Sequence, residues 1–137
     1  MGSYDKYYDD TELGLPTWLS ADSENRKKYE ADPLCGFIPS CSLLRDMMDG
    51  LLIISDKKNL AKMKKDTPVF LIAGSGDPVG NMGKAIPQVA AMLKAAGVIN
   101  VSEKLYQGSR HEILNEKDNF TVYNDVLDWM RKEVIHA

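Results

Sequence analysis

A chain of 137 residues has room for one domain with a modest core, and its 44% apolar content is ordinary for a globular protein. A net charge of -3 argues against a nucleic-acid partner, which would call for a basic stripe. No apolar run approaches the length that spans a bilayer, so no transmembrane segment is expected.

Two parts are expected and no internal repeat: a helical and irregular part over residues 1–66, and alternating strand and helix over 67–137. The opening Met1-Gly2-Ser3-Tyr4-Asp5 is polar and lacks a signal peptide's apolar stretch, so a cytoplasmic location is the expectation. The acidic, Tyr-rich segment that follows reads as extended. Ser20 or Asp22 caps a helix running through Arg26 and Tyr29, and Asp32-Pro33 ends it, because the residue before proline avoids the α region. Cys35 and Cys41 read as reduced, partly buried thiols. Neither they nor His111 and His136 have the spacing of a metal site, and no cofactor is expected. Leu43, Leu44, Met47, Met48, Leu51 and Leu52 recur at helical spacing up to Ser55. Ordinary core packing accounts for that stripe, and a lid face greasing an acyl chain is the functional alternative. Lys57, Lys58, Lys62, Lys64 and Lys65 read as a solvated linker, with attraction to anionic head groups as the alternative.

The second part is more regular. Val69-Phe70-Leu71-Ile72-Ala73, between Pro68 and Gly74, is the pattern of a strand buried on both faces in a parallel sheet. Ile86, Val89, Ala90 and Leu93 make one helix face, with Gly97 placed to end it. Val101 to Tyr106 alternates and predicts the next strand. Val122, Tyr123, Val126, Leu127 and Met130 line a last helix, capped by Asp118 or Asn119. Two parallel strands leave two open edges and cannot bury two helices and a lid-like segment, so further strands or another chain should cover them.

Two loops carry the chemistry. Gly74, Gly76 and Gly80 suggest a phosphate loop, but a dinucleotide fingerprint needs glycine where Val79 stands. A Walker loop would need glycine at Pro78 and Ser or Thr at Ala85. Asp77 reads instead as a carboxylate at a strand's end, with an Asx turn as the plain structural alternative. His111 follows the next strand through Gln107-Gly108-Ser109. Neighbouring parallel strands set their C-terminal loops side by side, so Asp77 and His111 can meet across 34 positions. An aspartate on one ring nitrogen would fix the tautomer and leave the other nitrogen as a general base.

The segments Pro68 to Gly80 and Leu105 to Glu116 resemble the acid-bearing and histidine loops of the α/β-hydrolase superfamily. The similarity is greatest to the monoacylglycerol lipase and lysophospholipase group, the serine aminopeptidase-like hydrolases. Asp32-Pro33-Leu34-Cys35-Gly36-Phe37 is similar to the end of that group's lid. The resemblance implies a partial α/β-hydrolase fold: the two final parallel strands with flanking helices over 67–137, and a helical lid or cap segment over 1–66. It implies Asp77 as the triad acid and His111 as the base, with Arg110, Glu112, Asn115 and Glu116 as supports.

That group carries its serine in a Gly-x-Ser-x-Gly elbow ahead of the acid and base. Here the serines at 3, 20, 23, 40, 42, 55, 75, 102 and 109 all lack glycine two positions before them. The expectation is a piece of a serine hydrolase for lipid-like carboxylic esters, holding the acid and base without the nucleophile, and so inactive alone. The alternative is a non-catalytic module. It would form a homo-oligomer, or bind a partner chain, through its open sheet edge and apolar helix faces.

Overall fold

The computed structural model describes residues 4–8 and 16–135. Its first turn, Asp5–Tyr7, is a 3-10 turn in which Tyr7 N–H donates to the Tyr4 carbonyl, so this part of the opening segment is not extended as expected, and residues 9–15 lie outside the described residues. Helix α1 spans Ser23–Ala31. Of the two candidate caps, Asp22 fills the role: its backbone is extended and its carboxylate accepts from Glu24 N–H at 3.1 Å. The helix ends at Asp32, held extended (ψ 117°) ahead of Pro33.

Helix α2 spans Cys41–Ser55, and Ser40 Oγ accepts from Leu43 N–H at its start. The periodicity predicted this helix, but the core packing expected of its stripe does not occur, since no α2 residue is buried. Leu43, Leu44, Met47, Met48 and Leu51 all stand exposed, and Leu52 is 72% exposed. A single helical turn, α3 (Lys57–Leu60), opens the basic stretch, with Asp56 accepting from Lys58 N–H at 2.7 Å.

Strands β1 (Val69–Gly74) and β2 (Val101–Tyr106) pair in parallel, from Val69 opposite Val101 to Gly74 opposite Tyr106. Helix α4 (Ala85–Ala95) crosses between them. Its end shows why glycine stands at position 97. Gly97 has φ +96°, its N–H donates to Lys94, and Val98 N–H donates back to Leu93. That pair of bonds is a Schellman stop, closed by the buried Leu93 and Val98 side chains. Helix α5 (Asn119–Met130) follows, continued by a wider π-type turn over Arg131–Ile135. Asp118 sits at its N-cap, yet its side chain makes no capping bond; its carbonyl accepts from Thr121 N–H instead.

Tyr106, Ile113 and Val122 form a small core, with Ile72 and Val126 against it. Phe70 stacks on Trp129, ring centroids 5.4 Å apart. β1 was expected to be buried on both faces, but Val69 to Ala73 are only half-buried and Gly74 alone is fully covered. The reason is the width of the sheet: among the described residues it has two strands, and each has an outer edge with no strand beside it. Among the described residues no helix is long and apolar enough to cross a membrane.

Candidate active site

The parallel register brings Gly74 and Tyr106 side by side, and the pairing continues past the strands. Ser75 N–H donates to the Tyr106 carbonyl at 2.9 Å, Gly108 N–H to Ser75 Oγ at 3.0 Å, and Gly76 N–H to the Ser109 carbonyl at 2.9 Å. The two loops are therefore bonded to each other. Glycine at 74 is what permits this approach. A Cβ there would lie 2.2 Å from the carbonyl oxygens of both Ser109 and Arg110.

Asp77 and His111 are the groups so delivered. The Asp77 side chain uses its two oxygens differently. Oδ1 accepts from Val79 N–H at 2.8 Å, closing the Asx turn, and Oδ2 lies 3.1 Å from His111 Nδ1. The plain structural role and the site geometry coexist in one carboxylate. Asp77 is 7% exposed, so its charge is held away from bulk water. The Asp77 carbonyl also accepts from Met82 N–H at 2.8 Å. That bond closes a tight turn in which Asn81, Met82 and Gly83 all have positive φ (53°, 55° and 79°). Non-glycine residues there are uncommon and mark a backbone held by its surroundings.

The imidazole is more open, with 39% of its side chain exposed. Its ring lies 5.2 Å from that of Trp18, tilted by 53°. With Nδ1–H donated to Asp77, the lone pair of Nε2 has no hydrogen-bond partner among the described residues. That arrangement can take up a proton at Nε2 and stabilise the imidazolium through Asp77.

A second set of residues surrounds this pair: Arg110, Glu112, Asn115 and Glu116, which the resemblance implied as supports, and the residues they meet, which the sequence did not indicate. Glu116 is 6% exposed. It accepts from Arg110 N–H (2.8 Å), Ser20 Oγ–H (2.9 Å) and Ala21 N–H (3.0 Å). Glu112 N–H donates to the Leu19 carbonyl, and the Glu112 carboxylate accepts from the side chains of Asn25 and Asn115. The Arg110 guanidinium lies 3.7 Å from the Tyr8 ring and donates to the Thr17 carbonyl. The Tyr8 hydroxyl donates to the Gly76 carbonyl. Tyr8, Trp18 and Leu19 act here across separations that local pattern does not register, and the buried Arg26 donates to the Ser20 carbonyl at 2.8 Å. The one available signal was Thr17-Trp18-Leu19-Ser20, an apolar pair set between small hydroxyl residues.

Other nucleophiles fit less well. The Cys35 thiol is pushed up, first by desolvation and then by the Asp32 and Glu112 carboxylates, opposite to what a reactive thiolate needs. Cys41 is exposed rather than partly buried. A cavity of about 380 Å³ between α3 and α4 is lined by Leu60, Met92 and neighbours and by none of the loop residues. Among the described residues no cluster of three or more His, Cys, Asp or Glu could hold a metal ion.

A parallel βαβ unit with a helix behind it, and an aspartate and histidine in contact at its strand ends, is part of an α/β-hydrolase fold. Residues 4–118 match the family model described as serine aminopeptidase, S33, and the chain belongs to that family. Among solved structures it is similar to a thermostable carboxyl esterase from Bacillus coagulans in complex with glycerol. The TM-score is 0.84 and the identity 26%, over 94% of this chain and 42% of that one. It is also similar to a lipase in an open form, with TM-score 0.74 and 28% identity over 90% of this chain and 41% of that one. Its fold is shared by a monoacylglycerol lipase from Paleococcus ferrophilus, with TM-score 0.67 and 22% identity over 83% of this chain and 42% of that one. The chain thus spans well under half the length of these proteins. Comparison with curated protein sequences returned no match.

Proposed function

We propose that this chain supplies the acid and base of a serine esterase acting on lipid-like carboxylic esters, such as monoacylglycerols or lysophospholipids. The observation that carries this reading is the 3.1 Å contact between His111 Nδ1 and Asp77 Oδ2 at the ends of adjacent parallel strands. Family membership and the esterase and lipase neighbours support it. His111 Nε2 takes the proton of a serine hydroxyl as its oxygen attacks the ester carbonyl. The imidazolium then gives that proton to the departing alcohol, leaving an acyl-serine. Water, deprotonated by the same nitrogen, releases the acid. Asp77 holds the tautomer and offsets the charge on the ring. The serine and the oxyanion donors come from residues this chain does not contain, so by itself it turns over no ester. Within the chain we assign 67–137 to the hydrolase core and 1–66 to a cap-like segment. A cytoplasmic location fits its two free thiols.

The test joins this chain to the part of the Bacillus coagulans esterase that lies outside the matching segment, in place of that segment, with circular dichroism to establish folding. The expected result is hydrolysis of p-nitrophenyl butyrate by the chimera, reduced roughly 10⁴-fold by His111→Ala or Asp77→Asn. The 137-residue chain alone should match its own His111→Ala variant. A chimera indifferent to His111→Ala would sink the assignment of the base. His111-dependent turnover by the chain alone would sink the assignment of an external nucleophile.

A second reading is favoured by helix α2, none of whose residues is buried. In it, two copies associate through α2 and the open edge of the sheet. It is compatible with the first.

A further inference from the structure

We propose that Glu116 is a positioning residue for His111, setting the ring through the backbone on both sides of it. The inference rests on the reading of His111 as the base. The histidine lies in an irregular loop between β2 and the 3-10 turn at Ile113–Asn115, where no ladder or helix fixes the backbone. Two hydrogen bonds do so instead. The amide of Arg110, just before it, donates to Glu116 Oε1 at 2.8 Å. The amide of Glu112, just after it, donates to the Leu19 carbonyl at 2.9 Å.

Glu116 acts on both bonds. Its other contacts are to the segment that carries Leu19: Ser20 Oγ at 2.9 Å, Ala21 N–H at 3.0 Å and Asp22 N–H at 3.3 Å. That same segment presents Trp18, whose ring sits 5.2 Å from the imidazole. One buried carboxylate therefore gathers the peptide before the histidine, the strand of chain that grips the peptide after it, and the ring beside it. A charged acceptor strengthens each bond, and the low exposure keeps water from competing. A glutamine in its place would turn an NH₂ group towards donors, and that face of the cluster would lose its bonds.

A residue that only stabilised the fold would lower the melting temperature and leave the imidazole as it was. The experiment is therefore long-range ¹H–¹⁵N correlation of the His111 side chain in the 137-residue chain, with the signal assigned by its loss in His111→Gln. The wild type should show the tautomer with Nδ1 protonated and Nε2 bare. Glu116→Gln should redistribute it towards the other tautomer, changing the ratio about tenfold. Val122→Ala, which loosens the core at a 2% exposed site, should lower stability without that change. An unchanged tautomer in folded Glu116→Gln overturns the proposal. Should that variant not fold, Glu116→Asp keeps the charge, shortens the reach and is expected to shift the ratio in the same direction; no shift there overturns it equally. In the chimera, Glu116→Gln should lower kcat about 10- to 100-fold with KM little changed. Loss of the base reading shows separately, as activity that survives His111→Ala.

Discussion

At the scale of the residue, the site depends on the absence of one side chain as much as on the presence of two. Gly74 lets the histidine loop lie directly on the end of β1, and a methyl group there would stand 2.2 Å from two carbonyl oxygens. Backbone on both sides cannot yield as a side-chain tip can. Gly74→Ala should therefore lower stability by about 1–3 kcal/mol, read as a reduced urea midpoint at unchanged slope. It should also part Asp77 from His111. Those two residues were legible in the sequence because each ends a strand-like run and their types suit one reaction. Part of their frame was as well, since the resemblance implies Arg110, Glu112, Asn115 and Glu116 as supports, but the segment those residues meet was not. Ser20 and Glu116 bond across 96 positions, and Trp18 and Leu19 carry no periodic signal that aims them at a histidine. Asp77 shows the limit from the other side: the sequence offers an Asx turn and a contact to the ring as alternatives, and the carboxylate makes both with different oxygens.

At the scale of the element, β2 is tied to α5 by a small charged cluster. The Tyr106 hydroxyl donates to Asp125 Oδ2 at 2.9 Å, and Lys104 Nζ meets the same oxygen at 2.6 Å. Burial first, then the bond and charge of Asp125, push the Tyr106 phenol up to about 12. Lys104 and Tyr106 hold the Asp125 carboxyl below its usual value. The raised phenol stays neutral in the folded chain while the unfolded chain ionises near its ordinary value of about 10. This contribution is thus complete below pH ~10 and is lost as pH rises towards 12. Melting temperatures followed from pH 8 to 12 should fall more steeply in the wild type than in Tyr106→Phe. Equal slopes would show that the phenol is not so held. For Asp125 the sign is opposite: its contribution is present above its ordinary value and fades in acid. The strands, α4 with its glycine stop, and α2 were all legible as elements, because period and punctuation are local. The surroundings of α2 were not, because an apolar stripe records that something covers a helix without saying what.

At the scale of the whole molecule, the sheet has two strands among the described residues, where the chains of similar solved structures run more than twice as long. Among the described residues, half of α2 is apolar and uncovered, and no strand lies beside the outer edges of β1 and β2. A chain with such surfaces should associate. Sedimentation velocity over a hundredfold range of concentration is expected to show a dimer that dissociates on dilution, and one in which Leu51→Glu with Leu52→Glu weakens assembly. A monomer at every concentration would remove the second reading of function.

Trp18 gives the histidine loop a further property. The other tryptophan, Trp129, faces Phe70, which does not titrate, whereas the Trp18 indole stands 5.2 Å from the imidazole. A positive charge on that ring is expected to change the indole emission, so Trp18 fluorescence followed against pH should report the charge at His111. No label or substrate is needed to read it, and the charge on the imidazole can be followed directly in the 137-residue chain.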